Sequence, residues 1–144
     1  MKYLKHKLKN MKEQEVKDHV IRYLKSDGWK IITVSPKRGR TPVKRRGRQP
    51  KASEPDIKAK KGGQYFFVEA KGDPPSANSF YIAIGQITSK MAATTPTRYA
   101  IALSPKYRKI LHLFPREAAD RAKIEILIPK EKVQPKSIPD TTEI

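Results

Sequence analysis

Three residues of the stretch EPDIKAKKGGQYFFVEAKGD, residues 54–73, could act together: Asp56, Glu69 and Lys71. Asp56 follows a proline at the start of one predicted strand, whereas Glu69 and Lys71 close the next, which is apolar. Carboxylate oxygens are the ligands that magnesium prefers. The stretch is therefore either the acidic part of a metal site or an ordinary lysine-rich hairpin on the surface, and the direction of a few side chains decides between them.

A hairpin is predicted around Lys61-Gly62-Gly63. PDIKAK (55–60) and QYFFVEAKG (64–72) have the composition of two strands, and the pair of glycines between them is a tight-turn signal. The three functional side chains would then lie on adjacent strands.

The length of the turn decides whether these side chains share a face. Glu69 and Lys71 are two positions apart and share one, because side chains alternate along a strand. A two-residue turn at 62–63 sets Asp56 opposite Glu69, and the same turn one residue earlier sets Asp56 opposite Phe67. Both keep Asp56 on the face of Glu69, whereas a three-residue turn would turn it to the other face.

The same face carries Tyr65 and Phe67, so it is expected to point towards the protein. Two inward carboxylates repel each other unless a proton or a cation lies between them. A magnesium ion would relieve the repulsion. Alternatively, Asp56 and Glu69 are ion-pair partners of the many lysines at the rim of the sheet.

Pro55-Asp56 and Glu69-Ala70-Lys71, in this order, resemble the motif of the PD-(D/E)XK phosphodiesterases. This superfamily has the restriction-endonuclease-like fold and includes archaeal Holliday-junction resolvases. The resemblance covers roughly residues 11–104. Glu15-Val16-Lys17 also matches E-x-K on a predicted helix, so the order, the spacing and the strand context carry the resemblance.

The resemblance implies roles for the matching residues. Asp56 and Glu69 would ligate magnesium or manganese, together with the backbone carbonyl of Ala70. Lys71 would position the attacking water and stabilise charge in the transition state.

Two further site residues follow from the same resemblance. Many members add a glutamate from the first helix, for which Glu13 is the first choice and Glu15 the second. Some members place Q-x-x-x-Y on the helix after E-x-K, where this chain has Gln86 followed by Lys90. Gln86 is a site residue in one interpretation and a polar residue at the edge of the core in the other.

The surrounding pattern predicts an α/β fold. Helical spacing of apolar residues predicts helices over 3–27 and 80–93, and β-branched or apolar runs predict strands over 29–35, 98–104 and 123–129. The order α-β-β-β-α-β predicts a mixed sheet flanked by helices, in agreement with a restriction-endonuclease-like core. We expect one domain over 1–128, followed by a polar, proline-containing tail over 129–144.

The formal net charge is +18, from 32 Lys and Arg against 14 Asp and Glu, which indicates a polyanionic partner. The segment 36–54 is rich in basic residues and proline and directly precedes Asp56. We expect it to be a loop that binds nucleic-acid phosphates, although a solubilising loop is the alternative. Its candidate phosphate-binding residues are Lys37, Arg38, Arg40, Lys44, Arg45, Arg46, Arg48 and Lys51.

Several classes are disfavoured by composition. The chain has no cysteine, which excludes disulfides, thiolate zinc sites and cysteine nucleophiles. Its histidines, His6, His19 and His112, are far apart, so a bound metal should be a hard cation with oxygen ligands. The charged N-terminus and the lack of a long apolar run lead us to expect a cytosolic protein, associated with the nucleoid when bound to DNA.

These observations predict a magnesium-dependent DNA endonuclease that recognises DNA structure or backbone, as a resolvase-like or repair enzyme does. By analogy with the family, it would act as a homodimer. The alternative is a non-catalytic nucleic-acid-binding protein with the same fold. An RNA-associated basic protein ranks last, because aromatic RNA-binding signatures are missing from the sequence.

Overall fold

The computed structural model describes residues 9–36, 54–91, 96–130 and 141–144. The described residues form a mixed six-stranded sheet in the order β1-β2-β3-β4-β5-β6, in which β1 to β3 are antiparallel and β3 to β6 are parallel. The fold is therefore α/β. In chain order the elements are α1 (Glu13–Ser26), β1 (Lys30–Val34), β2 (Ile57–Lys61), β3 (Gln64–Lys71), α2 (Ala77–Thr88), β4 (Thr97–Leu103), a 3₁₀ helix (Pro105–Leu113), α3 (Arg116–Ala122), β5 (Ile124–Ile128) and β6 (Thr142–Glu143).

Helices α1 and α2 pack on opposite faces of the sheet, here named the α1 face and the α2 face. Alternate residues of β3 separate cleanly: Phe66, Val68 and Ala70 belong to the core on the α1 face, whereas Phe67 packs in the core on the α2 face. Glu69 and Lys71 continue the alternation of Phe67 and so lie on the α2 face. The sheet therefore has one hydrophobic core on each side. The β2–β3 hairpin is part of the sheet that separates these two cores.

Helix α1 begins later than its apolar pattern predicts. Residues 9–12 are not helical, and residues 1–8 lie outside the described part of the chain. The backbone of Met11 is paired instead with Asp73, because Asp73 N–H donates to the Met11 carbonyl at 2.8 Å and Met11 N–H donates to Asp73 Oδ2 at 2.7 Å. Gly28 follows the end of the helix with φ of 85°, a left-handed conformation that glycine adopts without strain.

Helix α2 is displaced towards the N-terminus relative to the predicted range 80–93. It begins after Ser76, whose hydroxyl accepts a hydrogen bond from Ser79 N–H at 3.0 Å. This N-cap satisfies a backbone donor that has no partner within the helix, and it moves the start to Ala77. The apolar pattern alone did not reveal the cap.

The C-terminal part contains a strand that the sequence does not predict. Residues 129–144 have no periodic apolar pattern, yet Thr142–Glu143 pairs in parallel with Leu127–Ile128 of β5. A two-residue strand is too short to leave a period of its own. Residues 131–140 of the predicted tail and residues 37–53 of the predicted basic loop lie outside the described part of the chain.

None of the helices in the described ranges is long and apolar enough to cross a bilayer.

Candidate functional site

The β2–β3 hairpin has the first of the registers considered from the sequence. Ile57 pairs with Val68 and Lys61 with Gln64, which leaves a two-residue turn at Gly62-Gly63. Gly62 has φ of 58°, which glycine adopts without the strain that other residues meet. One step beyond the last pair, Asp56 is opposite Glu69 on the α2 face. The register with Asp56 opposite Phe67 and the three-residue turn are both excluded.

The carboxylate of Asp56 is fixed against the backbone of β3. Its Oδ2 accepts a hydrogen bond from Ala70 N–H at 2.8 Å. The backbone of the same residue accepts from Ser35 N–H at 2.8 Å, and the Ser35 hydroxyl donates to the Pro55 carbonyl at 3.0 Å. Asp56 is therefore held from both sides, by the end of β3 and by the end of β1.

Glu69 is 2% exposed and pairs with a lysine of the α2 C-terminus. Lys90 Nζ lies 3.0 Å from Glu69 Oε1, and the side chain of Lys90 is only 6% exposed. The same ammonium group donates to the Gln86 carbonyl at 2.9 Å, and Tyr99 Oη donates to the Lys90 carbonyl at 3.2 Å. Glu69 thus lies between a cation and a second carboxylate in a nearly dry environment.

This environment raises the pKa of Glu69 from 4.5 to about 7. Burial is the largest cause, followed by the negative charge of Asp56 and by a hydrogen bond between the two carboxyl groups. Lys90 acts in the opposite direction and lowers the pKa of Glu69, but it does not outweigh the other causes. Glu69 therefore holds a proton readily near neutral pH, and strongly shifted pKa values of this kind cluster at functional sites.

Lys71 is on the face of the two carboxylates and is half-buried. Among the residues that the structure describes, its ammonium group makes no hydrogen bond or ion pair. Ala70, between Glu69 and Lys71, is fully buried on the α1 face. The predicted set of Asp56, Glu69, Ala70 and Lys71 is thus brought to one end of the hairpin.

Gln86 is on the last turn of α2, and Lys90 follows the end of this helix by two residues. The Oε1 atom of Gln86 is buried and has no hydrogen-bond donor in the described ranges. Buried polar atoms usually have a partner, so this oxygen calls for a proton donor or a cation. The carboxylates of Asp56 and Glu69 and the amide oxygen of Gln86 are oxygen ligands of the kind that suit magnesium or manganese.

The two candidate glutamates of α1 differ in their surroundings. Glu13 is partly buried, and its Oε2 lies 3.9 Å from Lys17 Nζ, which in turn donates to the Ser35 carbonyl at 3.3 Å. Glu15 is exposed and lies near His19. Burial lowers the pKa of His19, and the negative charge of Glu15 raises it by a smaller amount. Glu13 is thus connected through Lys17 to the segment that holds Asp56.

Neither glutamate completes an acidic cluster. No group of three Asp, Glu or His side chains that could hold a metal is found within the described ranges. The ligand role of Glu13 stays a prediction.

Sequence reasoning missed two residues that shape the site. Lys90 was noted only as a departure at the tyrosine position, although its four-residue spacing from Gln86 could have placed it on the same side of the helix. Asp73 joins the end of β3 to the start of α1 and also accepts from the Ser104 hydroxyl at 2.7 Å. No local pattern marks that role, because its partners are distant in sequence.

The eight candidate phosphate-binding residues of segment 36–54 lie outside the described part of the chain.

Comparison with known proteins gave no match: no family model, no curated protein and no solved structure is similar to this chain.

Proposed function

We propose that this protein is a metal-dependent DNA endonuclease with a restriction-endonuclease-like core. The observation that carries the proposal is the meeting of Asp56 and Glu69 on one face of the hairpin, with Lys71 two positions further on. The raised pKa of Glu69, about 7, supports a site that shares positive charge between two carboxylates.

The arrangement of elements supports the finer fold assignment. Helix α1 is followed by the antiparallel strands β1 to β3, and α2 then connects β3 to the parallel strand β4. This is the order expected of the restriction-endonuclease-like core. The PD dipeptide precedes β2 and the E-x-K motif closes β3, as the resemblance requires.

Asp56 and Glu69 would hold a magnesium or manganese ion, with Gln86 Oε1 as a further oxygen donor. Such an ion polarises a phosphoryl oxygen and lowers the pKa of a water bound to it. The hydrogen bond from Ala70 N–H fixes Asp56 Oδ2 and leaves Oδ1 of the same carboxylate for other partners. Lys71 has an ammonium group without a partner in the described ranges, so it is free to hold a water or a phosphate oxygen.

DNA is the proposed substrate because of the net charge of +18. The three α-helices of the described ranges pack on the strands of the sheet, so we do not propose that one of them enters the major groove. Recognition through DNA structure or backbone follows, as in a resolvase-like or repair nuclease. We further propose a homodimer, which would cut both strands, and a location at the nucleoid.

A non-catalytic DNA-binding protein is the second candidate, and one observation favours it. The ion pair of Lys90 with Glu69 at 3.0 Å neutralises Glu69 without any metal. In a nuclease this ion pair would have to break when a divalent cation binds Glu69, whereas in a non-catalytic binding protein it would stay formed.

A cleavage assay on a DNA panel tests the proposed function. Labelled single-stranded, duplex, nicked, flapped and four-way-junction DNA is incubated with the protein in magnesium, manganese or EDTA. We expect cutting with either metal and none in EDTA. The order in which the protein prefers these DNA substrates would identify the class of nuclease. Lys71→Ala should lose cutting, whereas Lys109→Ala, which removes an exposed lysine of the 3₁₀ helix, should retain it. Binding of every DNA without cutting in any metal would favour the second candidate.

A further inference from the structure

A row of lysines lies on the α2 face of the sheet, beyond the carboxylate pair. Lys60 is paired with Lys30 on one side and with Tyr65 on the other, and Lys58 is paired with Phe67. Side-chain alternation puts these residues on the face of Glu69. We name Lys30, Lys58, Lys60 and Tyr65 the lysine face.

The lysine face is open to solvent. Helix α2 packs on β3 and β4 and does not extend over β1 and β2. Lys30 and Lys60 are exposed, and Lys58 and Tyr65 are half-buried. A ligand can therefore reach the face from the side on which Asp56 and Glu69 lie.

Lys58 and Lys60 contact aromatic rings, and within the described ranges the three lysines have no carboxylate partner. Lys58 Nζ lies 5.2 Å and Lys60 Nζ 5.5 Å from the centre of the Tyr65 ring, and Lys58 Nζ also lies 5.6 Å from that of Phe67. Such cation–π contacts orient the ammonium groups. No carboxylate of the described residues forms an ion pair with Lys30, Lys58 or Lys60.

The pairing of Lys30 with Lys60 places two like charges directly opposite each other. Such a pair destabilises a sheet unless an anion lies between the side chains. Three ammonium groups without carboxylate partners, on one face, are thus arranged for a polyanion rather than for the sheet itself.

The row also has a direction. Lys58 and Lys60 follow Asp56 by two and four positions on one strand, which corresponds to roughly 7 Å and 14 Å along β2. A polyanionic chain that contacts both lysines would reach the carboxylate pair at the end of the row.

We propose that the lysine face binds the phosphate backbone of DNA and leads it to Asp56 and Glu69. This inference rests on the proposed function for the fate of the strand at the carboxylates. The binding itself does not depend on cleavage. The face is also distinct from the predicted basic segment 36–54.

The experiment is a titration of fluorescently labelled DNA in EDTA, followed by anisotropy over a series of salt concentrations. The test protein is Lys58→Gln/Lys60→Gln, and the control is Lys25→Gln/Lys130→Gln. The control lysines are exposed on α1 and after β5, away from the lysine face, and both variants have the same net charge. A third variant, Lys60→Gln alone, changes one exposed side chain and serves if the double variant does not fold.

The test protein should bind more weakly than the control at every salt concentration. Compared with the wild type, the slope of log affinity against log salt should fall by about 2 in magnitude for the double variant and by about 1 for Lys60→Gln. Equal affinities and slopes for test and control proteins would overturn the proposal, since the lysines would then only protect the sheet from association.

The two proposals fail separately. Weaker binding by the test protein together with no cutting by the wild type would support DNA binding by the lysine face and would contradict the proposed nuclease function. Metal-dependent cutting by the wild type together with unchanged binding by the test protein would support the nuclease function and contradict DNA binding by the lysine face.

Discussion

Glu69 is the residue whose charge state controls the proposed site. A proton, the Lys90 ammonium group and a divalent cation all compete for a carboxylate that is 2% exposed. Burial and the charge of Asp56 raise its pKa to about 7, so Glu69 is about half protonated near neutral pH. Two predictions follow from this residue alone.

The first prediction concerns stability and pH in EDTA. The pKa of Glu69 is about 7 in the folded protein and 4.5 as its ordinary value, so between these values the folded state binds the extra proton. This contribution is fully present at low pH and is lost as the pH rises through about 7. Relative to Glu69→Gln, the free energy of unfolding of the wild type should fall by about 1.4 kcal/mol per pH unit between about pH 5 and pH 6.5.

Urea unfolding of the two proteins at several pH values measures this difference. Parallel stability curves for the two proteins would contradict a raised pKa of Glu69.

The second prediction separates Lys90 from the other influences on Glu69. Lys90→Met removes the one group that lowers the pKa of Glu69, so this pKa should rise above about 7. The ¹³C chemical shift of the Glu69 carboxyl carbon, followed by NMR through a pH titration, reports it. Lys109→Met, which alters an exposed lysine elsewhere, should leave it unchanged. An equal pKa in both variants would mean that the ion pair does not form in solution.

At the scale of elements, the site depends on the junction where the end of β3 meets the start of α1. Gly72 packs so closely against this start that a Cβ atom there would lie 2.1 Å from Glu13 N and 2.5 Å from the Lys12 carbonyl carbon. Asp73 closes the junction by bonding to Met11 and Ser104. The junction sets the position of Lys71 and Glu13 together.

The third prediction tests this junction with a pair of glycine variants. Gly72→Ala forces a methyl group against backbone, so it should lower the free energy of unfolding by more than about 2 kcal/mol. Gly85→Ala lies on the open side of α2, with nothing within 4 Å of its Cβ. It should raise stability by about 0.5 to 1 kcal/mol through helix propensity. Equal effects of the two variants on urea unfolding would contradict the close packing at Gly72.

The hairpin was predictable and its surroundings were not. The glycine pair indicates a two-residue turn, and for such a turn side-chain alternation puts Asp56 and Glu69 on one face. The three-residue turn, which the sequence also allowed, is excluded only by the register of the structure. The start of α1 escaped prediction because Asp73, distant in sequence, competes for the Met11 backbone. The ion pair of Lys90 with Glu69 escaped for the same reason, since only the packing of α2 on β3 brings them together.

At the scale of the whole molecule, positive charge surrounds a small acidic centre. The chain has a net charge of +18, yet the half-buried Asp56 and the buried Glu69 lie with Lys71 at one end of the hairpin. The lysine face extends from that end along β2. Such a field attracts a polyanion along the sheet and presents it to carboxylates that alone would repel it.

The measurement that tests the central claim most directly is the cutting of labelled DNA in magnesium by the wild type, Asp56→Asn and Asp120→Asn. Asp120 is an exposed carboxylate on α3, so its variant matches the loss of charge away from the site. We predict that the wild type and Asp120→Asn cut equally, and that Asp56→Asn does not cut but binds the DNA at least as tightly. Equal cutting by Asp56→Asn, or binding by all three proteins with no cutting in magnesium or manganese, would contradict the account.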